Sequence, residues 1–166
     1  DDVAQSSVVV VVVQLVVDAA GVADFRALDA ATVSIASGLR PNTLVIYETT
    51  LPVGTTRTRF APALAAESGL APSEFSVAFS PERVYSGRIF KDLRRYPKLV
   101  GGLDAVAAAR AIEFYELALE FDVRDDLERP NGVWDLGSAE AAELAKLAET
   151  TYRDINIAFA NELAVF

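Results

Sequence analysis

The stretch Ser-Val-Val-Val-Val-Val-Val, residues 7–13, decides the fold. Its β-branched residues do not alternate with polar ones, which is typical of a strand buried in a parallel sheet with helices on both faces. Gln14 and Asp18 end the apolar run, so it is too short to span a membrane. Residues 43–47 (Thr-Leu-Val-Ile-Tyr) and 75–79 (Phe-Ser-Val-Ala-Phe) predict two more buried strands.

Helical patterns separate the predicted strands. Asp24 is the predicted N-cap of the first helix, and a second helix is predicted over residues 52–68 with Gly69 as its left-handed stop. Residues 98–100 and 104–120 predict a further short strand and helix. Strands that alternate with helices in this way indicate a doubly wound α/β fold on a parallel sheet.

The last segment, residues 138–166, has the pattern of one long helix with Ser138 as its N-cap. Apolar residues recur every three or four positions and form one stripe, made of Leu144, Ala148, Tyr152, Ile155, Phe159, Leu163 and Phe166. We expect a helix of this length to leave the sheet and to pack against something else.

The composition excludes several classes of function. With 24 acidic and 15 basic residues the net charge is -9, so we expect no nucleic-acid partner. The sequence contains no cysteine and no histidine, which excludes disulfides, thiolate catalysis, the usual zinc sites and Ser-His triads. We therefore expect no metal site, and chemistry that depends on carboxylates, hydroxyls, Lys and Arg.

Both ends are interpreted as truncations. The sequence has no methionine, begins with Asp1 and Asp2, and stops at Phe166 without a Gly, Asn or Pro to end the helix. No signal-peptide pattern and no apolar stretch of membrane-spanning length is present. We expect a cytoplasmic protein with no membrane partner.

Polar residues follow the predicted strands, where an open α/β sheet has its ligand crevice. Residues 48–56 bring two threonine hydroxyls to a helix start, whose free N–H groups suit a phosphate or a nicotinamide carboxamide. Residues 80–87 place Glu82 directly after a strand, where a carboxylate can orient or activate water. Each segment taken alone is more often structural or solvated, and only their combination suggests a site.

The long helix carries a third candidate group. Lys146, Thr150 and Arg153 are spaced by four and three residues, so they share one face. By periodicity alone, an ordinary solvated face is the commoner explanation.

Five segments resemble, in order, the motifs of the UDP-glucose/GDP-mannose dehydrogenase family. They are residues 10–18 (Val-Val-Val-Val-Gln-Leu-Val-Val-Asp), 48–56 (Glu-Thr-Thr-Leu-Pro-Val-Gly-Thr-Thr), 80–84 (Ser-Pro-Glu-Arg-Val), 98–102 (Lys-Leu-Val-Gly-Gly) and 139–163. They are spread over residues 10–163, nearly the whole length of the chain. The resemblance implies a homodimeric, NAD-dependent enzyme of polysaccharide biosynthesis that oxidises the C6 alcohol of a sugar nucleotide to a carboxylate, with a cysteine thiohemiacetal intermediate.

The resemblance also implies a division of the chain. Residues 1–130 would be the C-terminal part of a Rossmann-like NAD-binding domain. Residues 131–166 would begin the central helical domain, with residues 138–166 as the dimerisation helix.

Roles for individual residues follow from the same resemblance. Thr50 would contact NAD and help to hold a catalytic water, Glu82 would activate that water beside the cofactor, and Lys146 would stabilise the oxyanion. Leu15 would lie at the cofactor. The residues implied to contact the sugar nucleotide are Arg83, Val84, Tyr85, Lys146, Thr150 and Arg153.

The sequence departs from the family pattern at three places. Leu15-Val16 replaces Thr-Pro, which removes a hydroxyl near the cofactor, and Thr150 replaces the common asparagine. Neither the Gly-x-Gly-x-x-Gly fingerprint nor the nucleophilic cysteine occurs in these 166 residues, so we expect this chain alone to be inactive.

The substrate and the class of function leave alternatives open. The Ser-Pro-Glu-Arg form and Tyr152-Arg153-Asp154 look more like the enzymes of UDP-N-acetyl-hexosamines than those of UDP-glucose or GDP-mannose, which remain alternatives. A non-catalytic module that dimerises through its long helix is an alternative of a different class. A hydroxyacid dehydrogenase is disfavoured because the sequence has no histidine.

Overall fold

Strands and helices alternate along residues 2–166, the part of the chain that this computed structural model describes. The strands are β1 (Val8–Val11), β2 (Val16–Val17), β3 (Ala23–Asp24), β4 (Leu44–Tyr47), β5 (Ser76–Phe79), β6 (Lys98–Gly102) and β7 (Val133–Asp135). The helices are α1 (Arg26–Gly38), α2 (Ala61–Ser68), α3 (Ile89–Arg95), α4 (Ala105–Ala118) and α5 (Ala139–Val165). A short 3-10 turn, Val3–Gln5, precedes β1, and a π-helical turn, Thr56–Phe60, precedes α2.

The central sheet has the strand order β1-β4-β5-β6-β7 and is mainly parallel. β1, β4 and β5 are parallel, as predicted, but β6 runs antiparallel to β5, and β7 is parallel to β6. The reversal arises because the chain leaves β5 and enters β6 at the same edge, through a loop and the seven-residue α3. The amino end of β6 therefore lies where β4 and β5 have their carboxyl ends.

Both faces of the sheet are covered. On one face Val45, Tyr47 and Phe79 pack in a core shared with α1, α2 and the first turns of α5. On the other face Ile46 and Val100 pack in a core shared with α4. The largely apolar sequences of β4 and β5, which do not alternate with polar residues, follow from this double burial.

The first strand is shorter than the valine run. β1 spans Val8–Val11, whereas the prediction was 7–13, and the side chain of Val12 is largely exposed. β1 pairs with β4 on one side only and forms the edge of the sheet among the described residues. The end of the valine run is therefore less covered than β4.

The assignment of Asp24 as N-cap of the first helix is wrong by one residue. Asp24 belongs to β3, which pairs with β2 in a short antiparallel ribbon, and Phe25 is the N-cap of α1. The Asp24 carboxylate nevertheless accepts the backbone N–H of Arg26 at 3.0 Å and binds its guanidinium. It satisfies an N–H group of the first turn from outside the helix.

The second predicted helix begins later than Pro52. A π-helical turn comes first, and the N–H of Ala61 donates to the carbonyl of Thr56 in its wider ring. Pro62 lies in the first turn of α2, where its missing N–H is tolerated. Gly69 ends α2 with a φ of 73°, which confirms the predicted left-handed stop.

The long helix α5 starts on the sheet and then leaves it. Ser138 caps it by accepting the N–H of Ala141 at 3.1 Å, as predicted. Ala139 and Ala142 are fully buried against the sheet, whereas every residue from Thr151 onward is exposed. None of the helices in residues 2–166 combines the length and the hydrophobicity needed to span a bilayer.

Candidate functional site

Two clefts open side by side at the carboxyl edge of β4 and β5. The strand cleft is lined by Val12, Gln14, Leu15, Glu48, Thr49, Thr50 and Glu82. The helix cleft is lined by Arg83, Val84, Tyr85, Tyr96, Lys146, Glu149, Thr150, Tyr152 and Arg153. Glu82 lines the first cleft and Lys146 lines the second, so the contact between these two residues lies where the clefts meet.

Lys146 and Glu82 are joined by two interactions. The Lys146 ammonium donates to the backbone carbonyl of Glu82 at 2.5 Å and lies 3.1 Å from its Oε1. The second carboxylate oxygen of Glu82 accepts the N–H of Val84 at 3.1 Å. Lys146 is mostly buried and Glu82 is 40% exposed, so the carboxylate is fixed in direction yet open to the strand cleft.

The Glu82 carboxyl is held in its ionised form. Burial is the largest single influence on its pKa and raises it, but the N–H of Val84 and the ammonium groups of Lys146 and Lys98 together outweigh burial. The pKa of Glu82 therefore lies below its ordinary value. Near neutral pH the group is a hydrogen-bond acceptor able to orient water and to take a proton.

The clefts bring together the residues that the sequence singles out. Thr50 and Glu82 share the strand cleft, because β4 and β5 are parallel and each residue follows the carboxyl end of its strand. Leu15 lies in the same cleft and supplies an apolar wall. Lys146 reaches this edge because α5 runs across the sheet toward it.

The helix cleft contains all six residues implied to contact the sugar nucleotide. Arg83 forms a two-pronged ion pair with Glu149, both contacts at 2.9 Å, and Arg153 lies 3.5 Å from the Tyr85 hydroxyl. The Thr150 hydroxyl donates to the carbonyl of Lys146 at 2.9 Å within the helix, so its lone pairs remain to accept a bond. Lys146, Thr150 and Arg153 thus line a cleft, rather than an ordinary solvated face.

The helix start in residues 48–56 differs from the prediction. Its N–H groups are occupied, because the fully buried Glu143 carboxylate accepts from Gly54 N at 2.5 Å, from Thr56 N at 2.9 Å and from the Thr56 hydroxyl at 2.6 Å. A carboxylate is favourable at this position because the N–H dipoles point toward it. These groups therefore anchor α5, one turn before Lys146, rather than awaiting a phosphate or a carboxamide.

Sequence reasoning assigned no individual role to Glu143, Glu48 or Lys98, although Glu48 and Lys98 lie in segments that resemble the family motifs. Lys98 is 5% exposed and forms an ion pair with Glu48, whose second oxygen accepts the Tyr115 hydroxyl at 2.7 Å. The sequence did contain two signals. Glu143 is a glutamate among small apolar residues on the inner face of a helix, and Lys98 is a lysine at the start of an apolar strand. Within residues 2–166 no cluster of three or more acidic residues is arranged to hold a metal ion.

The strand cleft fits a nicotinamide cofactor. It lies beyond the carboxyl ends of two parallel strands, the usual place for a dinucleotide in this class of sheet. Val12 and Leu15 supply an apolar wall suited to a flat ring, and Thr49, Thr50 and Gln14 supply polar side chains suited to an amide.

Comparison with known proteins places the chain among dehydrogenases. Residues 1–119 match the model of the UDP-glucose/GDP-mannose dehydrogenase family, NAD binding domain. UDP-N-acetyl-D-mannosamine dehydrogenase of Escherichia coli (strain K12) is 34% identical over 149 residues, which cover 86% of this chain and 33% of that protein. The enzyme of the same name from Pyrococcus horikoshii is 38% identical over 143 residues, 86% of this chain and 31% of that protein.

Solved structures agree in fold. The structure of a UDP-D-ManNAc dehydrogenase from Pyrococcus horikoshii superposes with a TM-score of 0.86 at 34% identity, covering 99% of this chain and 36% of that one. The chain thus spans about a third of the length of the relatives it matches. NAD is the cofactor of the matched domain, and the chain belongs to the UDP-glucose/GDP-mannose dehydrogenase family.

Proposed function

We propose that the protein containing this chain oxidises the C6 alcohol of a UDP-N-acetyl-hexosamine to a carboxylate with NAD. The observation that carries the proposal is the Glu82–Lys146 contact at the junction of the two clefts. In the proposal, the carboxylate lies beside the cofactor and the ammonium lies beside the sugar. The relatives named UDP-N-acetyl-D-mannosamine dehydrogenase favour this substrate class over UDP-glucose and GDP-mannose.

Each residue has a task that its position permits. NAD, when bound, supplies the hydride acceptor. Glu82 is ionised and exposed to the strand cleft, so it can take a proton from a water that the Thr50 hydroxyl helps to hold. Lys146 uses its donors on Glu82 at two acceptors, which leaves one of its three N–H groups for an oxyanion in the helix cleft.

The sugar nucleotide is assigned to the helix cleft. Arg83 and Arg153 give this cleft two guanidinium groups, which suit phosphate oxygens. Val84 and Tyr85 add apolar and aromatic surface for the remaining parts of the nucleotide. Glu149 neutralises Arg83 in the present structure, so binding would rearrange that ion pair.

The substrate can be tested on a protein that joins this chain to the glycine fingerprint and the cysteine. With UDP-N-acetylmannosamine we expect two NADH per sugar, read by absorbance, and a kcat/KM at least about tenfold above those for UDP-glucose and GDP-mannose. A preference for either of the latter would correct the substrate. No NADH with any nucleotide sugar would favour the non-catalytic alternative.

We also propose that α5 forms a homodimer contact. Ile155, Phe159 and Leu163 are each about 60% exposed on one face, and such apolar stripes are rare on monomers. On the basis of the family resemblance, we further propose that a domain boundary lies at residue 130. We also propose that the protein is cytoplasmic and acts in polysaccharide biosynthesis. β7 lies beyond that boundary and still pairs with β6 of the sheet.

Sedimentation equilibrium of the 166-residue chain tests the dimer. We expect a dimer at tens of micromolar and a monomer for the double variant Ile155→Lys, Phe159→Lys, because two ammonium groups would interrupt the apolar stripe. Leu117→Lys is the matched control, since Leu117 is exposed on α4, away from the stripe. A monomeric parent chain would contradict the proposal.

A further inference from the structure

Lys98 is a buried ammonium that the proposed function leaves without a task. It is the first residue of β6, and because β6 runs antiparallel to β5, its backbone lies at the carboxyl edge beside the candidate site. Its side chain is 6% exposed. A lysine is rarely buried to this extent unless its charge is paired.

The pairing of Lys98 is tightly built. Its ammonium donates to Glu48 Oε1 and lies 4.6 Å from the centre of the Tyr115 ring, and the Tyr115 hydroxyl donates to Glu48 Oε2 at 2.7 Å. An ion pair in this setting adds little net stability compared with apolar residues of the same size. Stability alone therefore gives a weak reason for a charged group here.

Two features connect Lys98 to the site. Glu48 lines the strand cleft together with Thr50 and Glu82. It precedes Thr50 by two residues in the chain. Lys98 itself lines a small cavity with Pro81 and Arg83, the residues on either side of Glu82. The ion pair thus joins the loop after β4 to the loop after β5.

The charged groups around Glu82 are few. Lys146 contacts it from α5, Lys98 lies at the start of β6 beside the two residues that flank it, and Glu48 shares its cleft from the loop after β4. The neighbouring Arg83 is neutralised by Glu149. Two ammonium groups from different elements therefore act on one carboxylate.

We propose that Lys98, held by Glu48 and Tyr115, is a positioning residue that stabilises the negative charge of Glu82 together with Lys146. The inference rests on the proposed function only in giving Glu82 its task. Lys98 lines neither the strand cleft nor the helix cleft. It acts through Glu82 and through the Glu48 loop that carries Thr50.

The test is a carbon-13 NMR titration of the 166-residue chain, with the Glu82 signal assigned by its loss in Glu82→Gln. In the Lys98→Met variant the pKa of Glu82 should rise by about 0.5 or more, because an ammonium that favours the carboxylate is gone. In the double variant Glu48→Gln, Lys98→Met the rise should be smaller, because loss of the Glu48 charge from the same cleft acts in the opposite direction. The double variant removes both charges, so it avoids an unpaired buried carboxylate. Lys98→Arg, which keeps the charge, and Lys91→Met, at an exposed lysine of α3, should leave the Glu82 pKa unchanged.

The unsubstituted chain provides a second measurement that needs no variant. The nitrogen-15 resonance of the Lys98 ammonium should move with the midpoint of the Glu82 titration. A Lys98 resonance without that midpoint, or a Glu82 pKa equal in the parent chain and in Lys98→Met, would overturn the proposal. A protein that lacks dehydrogenase activity but shows both shifts would refute the proposed function and leave the coupling intact.

Discussion

Replacement of Lys146 by alanine is expected to lower kcat about a hundredfold or more, while KM for the sugar nucleotide changes by only a few fold. The change is made in the longer protein, which joins this chain to the glycine fingerprint and the cysteine. The reason is that the Lys146 ammonium lies between the two clefts and is fixed by the carbonyl and the carboxylate of Glu82. A charge fixed in this way stabilises negative charge that develops only as oxidation proceeds. In the proposed function, binding of the intact sugar nucleotide depends mainly on Arg83 and Arg153, which line the same cleft.

Steady-state kinetics by NADH absorbance checks this expectation, and Lys91→Ala is the matched control because Lys91 is an exposed lysine on α3. A rise in KM of about a hundredfold with unchanged kcat would show that Lys146 only binds the sugar nucleotide. A Lys146→Ala enzyme with normal kinetics would remove the role assigned to this residue. Thr50 and Glu82 would keep theirs, because their shared cleft does not depend on Lys146.

Local patterns in the sequence are sufficient to predict most of the elements. β4 and β5 are found because both faces of each strand are buried, so their sequences are apolar without alternation. The start of α5 at Ser138 and the stop of α2 at Gly69 are found because a cap depends on one residue and its immediate neighbours. The N-cap is missed by one residue because Asp24 belongs to the β2–β3 ribbon and the helix begins only after Phe25, neither of which a local pattern shows.

The parts of the site that depend on distant contacts are not predictable from such patterns. From the sequence alone, Glu143 would be predicted to be a surface glutamate. Its role appears only in the structure, where the loop at Gly54 and Thr56 packs against α5. Lys98 would likewise be predicted to be an ordinary strand residue. Its ion pair with Glu48 depends on the antiparallel direction of β6, which the sequence does not indicate. The family motifs identify Glu82 and Lys146, but the groups that hold them become visible only when the strand order is known.

Gly101 gives the prediction with the largest expected effect on stability. It lies in β6 directly beneath the start of α5, and a Cβ at this position would meet the carbonyl oxygen of Ser138 at 2.0 Å, its carbonyl carbon at 2.4 Å and the nitrogen of Ala139 at 2.8 Å. All three atoms belong to the backbone, so no side chain can move to make room. Gly101→Ala should therefore lower the free energy of unfolding by about 3 kcal/mol or more, because the helix start must shift away from the strand.

Urea denaturation of the 166-residue chain measures this loss, with Gly132→Ala as the control because a Cβ at Gly132 would meet nothing within 4 Å. The same shift should loosen the site, since Ser138 begins the helix that carries Glu143 and Lys146. In the longer protein, Gly101→Ala should therefore reduce kcat even at temperatures where the variant remains folded. If Gly101→Ala were as stable and as active as Gly132→Ala, α5 would not dock on β6 as described, and the contact between Lys146 and Glu82 would lose its structural basis.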